Sequence, residues 1–135
     1  ISHNTLRITG HFHGTVVAGT TLAFMGLTYY VIPLIFRREV IAPKLASIQP
    51  YLFGIGITLV SVGMMMAGGF GVPRRHWDVA GFGGSPFAFE FNPVIYPLLT
   101  LMGIGAILAV LGGAIYIGVT VGSVLFGKRI EARPV

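Results

Sequence analysis

Apolar residues run through this chain in three long blocks rather than on one stripe of otherwise polar helices. Residues 8–36, 45–73 and 91–127 contain no Asp, Glu, Lys or Arg. A bilayer span needs about 20 apolar residues, so each block holds one transmembrane helix with some length to spare, taken up by tilt or by loop residues at the ends. The punctuation between blocks sets the boundaries. Arg37-Arg38-Glu39 stops the first helix, predicted over about 7–36, and Pro43 falls in the short loop that follows. The second helix is predicted over about 47–69. Gly68, Gly69 and Gly71 break it ahead of Pro73, which cannot continue a helical ladder. The third opens near Pro93, a favourable first-turn position for proline, and runs to about 126, with Lys128-Arg129 at its exit. Residues 70–92 make the one long connection. The expected fold is all-α, a membrane unit of three transmembrane helices over residues 1–135, with no internal repeat.

Composition agrees with the pattern. Charged residues are 10% of the chain and mean hydropathy is +0.84, whereas a soluble domain carries roughly 25% charged residues. The chain has no cysteine, which excludes disulfides, thiolate metal sites and thiol catalysis. Any metal or heme must be held by His, carboxylate or Met. A net charge of +5 does not point to nucleic acid, because the basic residues are scattered among the loops, where they report orientation. Arg37, Arg38, Lys44, Lys128, Arg129 and Arg133 fall on one side and Arg7, Arg74 and Arg75 on the other. That bias places the short loop and the C-terminus in the cytoplasm, and His3, His11, His13 and the long loop toward the outer face. Ile1 is not an initiator Met and nothing resembles a signal peptide. The chain reads as the tail of a longer polypeptide, or as one piece of a split one.

Candidate chemistry centres on His11-Phe12-His13, about one turn inside the first block. An ionisable side chain within a span is costly and marks a functional site by default. On an α-helix an i, i+2 pair is rotated by about 200°. The two imidazoles therefore cannot share one metal ion as an i, i+4 pair can, but they can serve two centres on opposite faces. The plainer reading of one such His is a buried ring satisfied by a neighbouring helix. Neutral imidazole is, however, a common metal and heme ligand, and three His occur in eleven residues at one membrane end. Gly10 and Gly14 flank the pair at small-xxx-small spacing; they serve either helix packing or the approach of a flat ligand to the backbone. Gly118 and Gly122 share that spacing and read as ordinary helix contact. Arg74 and Arg75 lie where the charge bias disfavours them. They either snorkel to headgroups or pair with anions at the depth of the histidines, as guanidinium forks suit carboxylates.

The stretch His3-Asn4-Thr5, then five residues, then His11-Phe12-His13, followed after the next span by Pro73-Arg74-Arg75, resembles subunit I of the heme–copper oxidases. The resemblance covers essentially the whole chain, as the last three of twelve spans. It implies that His11 is the proximal ligand of a high-spin heme, where oxygen is reduced, and that His13 is an axial ligand of a low-spin heme. It places Phe12 between the two macrocycles. Arg74 and Arg75 would hold heme propionates, and His3 would lie near them and a magnesium ion. Asn4 stands where many members have the Asp that supplies a carboxylate ligand, and is similar to the B-type oxidases there. His76 and Trp77 stand where other members often have Tyr, and His76 reads as a surface residue. The resemblance implies hemes of A or B type, and a copper in the assembled active site that would take its ligands from helices outside this chain. The partners implied are the remaining helices of subunit I, subunit II with cytochrome c or quinol as electron donor, and membrane lipid; nucleic acid is not among them. The implied function is proton-coupled oxygen reduction to water in a bacterial or archaeal plasma membrane. The alternatives are a nitric oxide reductase-type catalytic subunit and a non-catalytic heme-binding membrane subunit.

Overall fold

A computed structural model describes residues 3–74 and 92–131, and among these it contains three long helices and no strand. Helix α1 covers Leu6–Phe36, α2 Pro43–Gly69 and α3 Ile95–Phe126, each long and apolar enough to cross a membrane. The boundaries differ from the sequence expectation in two places. Pro43 begins α2 instead of lying in the loop, because its missing N–H costs nothing in a first turn, where that donor has no intrahelical partner. Pro93 lies outside α3, in a turn in which Asn92 accepts from the Ile95 N–H at 2.9 Å and, through Oδ1, from the Val94 N–H at 3.0 Å. Within α1 the residues His13–Thr20 form a π-helix between α-helical stretches Leu6–Phe12 and Thr21–Phe36. Composition gave no signal for that insertion.

The order of packing puts α2 at the centre, with α1 and α3 antiparallel to it. Lipid chains are as apolar as Leu, so hydrophobic burial does not drive spans together; close backbone contact does. The α2–α3 seam is built that way. A Cβ on Gly112 would sit 2.7 Å from the Phe53 nitrogen, and one on Gly105 would sit 2.6 Å from the Gly56 carbonyl oxygen. One on Gly56 would strike the Ala109 nitrogen, and one on Gly63 would come within 2.9 Å of the Leu98 carbonyl oxygen. These contacts step along both helices at seven-residue spacing, the repeat that keeps one face turned toward a neighbour. The glycine pair singled out from spacing behaves otherwise. Gly118 has open space around it, and Gly122 receives the side chain of Ile41 from the α1–α2 loop rather than another helix.

Around the seam, Met25, Phe53, Ile57, Val60 and Ala109 form the core, with Val17, Ala18 and Leu22 of α1 against it. Further along, α1 is pinned by polar contacts. Gln49 is fully buried; its Oε1 accepts from the Tyr29 hydroxyl at 3.1 Å and its Nε2 donates to Met25 Sδ at 3.3 Å. Tyr116 on α3 donates to Thr28 Oγ1 at 2.8 Å and meets the Tyr29 ring edge-on. Inside a bilayer a polar group must find an internal partner, so these bonds fix the register of α1 against both other helices.

Replacing Gly56 by Ala should therefore destabilise the assembled protein by about 1–3 kcal/mol, the usual cost of overpacking. Gly118→Ala should change it by no more than about 0.5 kcal/mol. Thermal unfolding of the two variants in one detergent compares them; equal midpoints would remove the seam's role.

Candidate functional site

The end of the bundle that carries the histidines is shaped by the way α2 stops. Phe70 caps α2 and Gly71 follows at φ +91°. The Gly71 N–H then donates to the Gly68 carbonyl at 3.1 Å and the Val72 N–H to the Ala67 carbonyl at 3.2 Å. This is the Schellman ending, which needs a left-handed residue after the cap. Val72 and Ala67 also pack together, with Leu6 and Ile95. Gly68 has a separate task, since a Cβ there would strike the Arg7 nitrogen; the first turn of α1 lies directly on it.

The reversal at Gly71 turns Pro73-Arg74 back along the entry to α1. Thr5 and Pro73 pair as an antiparallel bridge, with the Leu6 N–H donating to the Val72 carbonyl at 2.9 Å and the Arg74 N–H to the Asn4 carbonyl at 3.0 Å. Asn4 adopts φ +60° to make the turn, a conformation for which Asn is several-fold enriched. The two motifs, 70 residues apart in sequence, thus meet backbone to backbone. His3 and Arg74 are both exposed at this level. His11 follows Thr5 by about 9 Å along the helix axis, at 1.5 Å per residue.

The two histidines differ in surroundings. His13 is half-buried, and its Nδ1 lies 2.8 Å from the Thr9 carbonyl oxygen. A carbonyl oxygen only accepts, so Nδ1 carries the proton and Nε2 keeps a free lone pair. That is the tautomer a metal-ligating imidazole adopts when its other nitrogen bonds a backbone carbonyl. His11 is exposed, and its main-chain carbonyl accepts from the Thr15 hydroxyl at 3.0 Å. Phe12 is 54% exposed and lies edge-on to His13, ring centroids 6.0 Å apart. Phe12 and His13 both have right-handed helical dihedrals, so the rotation of about 200° between His11 and His13 is retained. Two outward imidazoles on an apolar rod, one with its tautomer set, fit a pair of heme irons as a donor set.

Gly10 does not leave room for a flat ligand. A Cβ there would sit 2.8 Å from Met64 Cβ and from the Met65 nitrogen, so the missing side chain is used by α2. Gly14 is in ordinary contact distance of Ser61, whose hydroxyl is buried with no hydrogen-bond partner among the described residues. Among the described residues no three His or carboxylate side chains gather into a metal cluster, and the Asn4 carbonyl is taken by Arg74. These residues by themselves do not fit a magnesium site at His3. Arg75, His76 and Trp77 lie outside the described residues. Sequence reading missed the Thr9 carbonyl, although His13 stands four residues after it, and gave Gly71 only the general role of a helix breaker.

A sequence model of the family described as cytochrome C and quinol oxidase polypeptide I matches residues 1–108. The cytochrome c oxidase subunit 1 of Thermus thermophilus is 32% identical over 77 residues, covering 56% of this chain and 14% of that protein. The cytochrome c oxidase subunit 1 of Rhodobacter capsulatus is 30% identical over 117 residues, covering 85% of this chain and 22% of that protein. The chain thus spans under a quarter of the length of these curated relatives.

The backbone bridge has a direct test, because the chain has no cysteine of its own. Thr5 and Pro73 form a non-hydrogen-bonded antiparallel pair, whose Cα atoms lie about 4.5 Å apart, within the range a disulfide accepts. The double variant Thr5→Cys/Pro73→Cys should lose both free thiols under mild oxidation and regain them on reduction. Two thiols that stay reactive throughout would show that the segments do not meet.

Proposed function

The chain belongs to the cytochrome C and quinol oxidase polypeptide I family, the heme–copper oxidase subunit I, and from that premise we propose that it supplies the axial histidines of two hemes in an oxygen-reducing respiratory complex. His11 is the ligand of the high-spin heme and His13 of the low-spin one. The observation that carries this is the unequal state of the pair. His13 is held with Nδ1 on the Thr9 carbonyl, while His11, two residues before it, lies exposed. The remaining helices of subunit I complete both sites and bring the copper ligands, and subunit II delivers electrons from cytochrome c or quinol.

Heme iron supplies reversible electron storage and, on the high-spin side, a place for oxygen to bind. The residues of this chain do the positioning. The Thr9 carbonyl orients the His13 ring and raises its basicity as a ligand. Phe12, between the two His in sequence and exposed on the same rod, keeps an aromatic ring between the faces they serve. Arg74, tied to Asn4 through its backbone at the entry of α1, would pair with the carboxylates of the cofactors, and Arg75, its neighbour in sequence, is assigned the same role. A fixed positive charge there favours the reduced, more negative state, and bidentate guanidinium geometry suits carboxylates. Coupling to proton translocation belongs to the same proposal, as what the resemblance to the heme–copper oxidases implies.

The test is optical and is made on the assembled complex. His11→Ala should abolish the high-spin heme signal and activity, leaving the low-spin band. His13→Ala should remove the low-spin band in the visible spectrum. Either variant keeping both signals intact would overturn the two-centre assignment. Arg74→Gln should leave heme content near wild type and lower a heme midpoint potential, by about 60 mV for each ~1.4 kcal/mol of interaction lost. Unchanged midpoints in a redox titration would remove Arg74 from that role.

A further inference from the structure

At the opposite end of the bundle from the histidines, a second antiparallel bridge joins Arg38 to Arg129. The Glu39 N–H donates to the Lys128 carbonyl at 2.9 Å, and the Ile130 N–H to the Arg37 carbonyl at 2.8 Å. The bridge ties the exits of α1 and α3 together and concentrates basic side chains on one rim. Not all of them are needed to hold the fold. Arg38 Nη1 donates to the Leu125 carbonyl at 3.2 Å and the Gly127 carbonyl at 2.8 Å, answering the unpaired carbonyls at the end of α3. Arg37 and Arg129 are exposed, and neither guanidinium has a hydrogen bond or ion pair among the described residues.

Between them lies a pocket of about 490 Å³, lined by Phe36, Arg37, Arg38, Arg129, Ile130 and Glu131. Its walls are held from both sides by the bridge. Arg37 sits at φ +50°, a conformation a long side chain keeps only where its surroundings impose it. Here the Ile130 N–H on its carbonyl does so. The pocket is therefore preorganised, which lowers the ordering cost of a guest. Phe36 and Phe126, at the last turns of α1 and α3, are 50% and 79% exposed and extend an apolar surface from the rim along the spans.

We propose that this pocket binds the headgroup of a zwitterionic glycerophospholipid of the phosphatidylethanolamine type. Its phosphate pairs with Arg37 and Arg129, its ammonium with Glu131, and its acyl chains lie along Phe36 and Phe126. Two observations select this guest. The pocket opens where two spanning helices leave the bilayer, the level at which headgroups are most concentrated and at which a free phosphate would leave the phenyl surfaces uncovered. It also contains a carboxylate and adjoins two helix C-termini, whose dipoles oppose anions, so a headgroup carrying its own cation suits it better than a purely anionic one. The inference does not depend on the heme assignments.

The experiment uses the assembled complex in nanodiscs of mixed phosphatidylethanolamine and phosphatidylglycerol, with retained phospholipid counted by native mass spectrometry after transfer to detergent. The wild type should retain phosphatidylethanolamine. Arg37→Gln/Arg129→Gln should lower that retention about tenfold or more, as expected for losing charge-assisted hydrogen bonds, while the visible heme spectrum stays unchanged. Glu131→Gln should keep a lipid but shift the preference toward phosphatidylglycerol; this variant alone decides the matter if the double variant does not assemble. Three results would overturn the proposal: wild-type retention in the double variant, an unaltered preference in Glu131→Gln, or displacement of the guest by inorganic phosphate with no phospholipid ever retained.

Discussion

Close backbone contact along α2 is the constraint on which the rest of this structure depends. Within a bilayer, the helices gain little from burying Leu or Ile against one another. They gain from approach at positions where a side chain is missing. Gly56, Gly63, Gly105 and Gly112 set the α2–α3 seam, and Gly68 and Gly10 set the line along which α1 lies on α2. Dispersion gains at such contacts are individually small and add up only when whole helix lengths stay in register. That is why the few polar bonds inside the bundle matter. Gln49 with Tyr29, and Tyr116 with Thr28, can each be satisfied in only one register.

Helix α1 shows what such an arrangement leaves open. Only 11% of its most apolar window is buried within this chain, against 44% for α2, and yet it bears the two histidines. Beyond its internal contacts with Gln49 and Tyr116, it is fastened at both ends. One short bridge fastens its entry to the turn after α2, and another fastens its exit to the end of α3. Between the two, its exposed faces are free to meet groups brought by other helices of the subunit. A rod held at both ends and largely uncovered within this chain suits the role proposed for its histidines, because it is kept in place while much of its surface stays open to neighbours.

The π-helical insert gives that helix its local character. It begins at His13 and extends through Thr20, and such inserts recur at functional sites because the widened turn changes which carbonyls are paired. Upstream of it the i−4 relation still holds, and His13 uses it to reach the Thr9 carbonyl. Downstream, Gly14 faces the unpartnered Ser61 hydroxyl across the α1–α2 contact. The His pair therefore stands at the junction of two helical geometries, with the His13 ring oriented from the regular side.

Three helices able to span a bilayer and the kinship with heme–copper oxidases were legible in the amino-acid order. They rest on local quantities: block length against bilayer thickness, and two motifs with fixed spacing. What the order left undecided needed neighbours. Gly10 and Gly14 looked alike by spacing, but only Gly10 is pressed against backbone; Gly118 and Gly122 looked like a helix contact, and Gly118 touches nothing. Which glycine is filled depends on the helix opposite, and that is a property of the assembled bundle. The meeting of Arg74 with Asn4 likewise could not be read from residues 70 apart, because it arises from a left-handed turn at Gly71 that aims one segment at another only after both helices have packed.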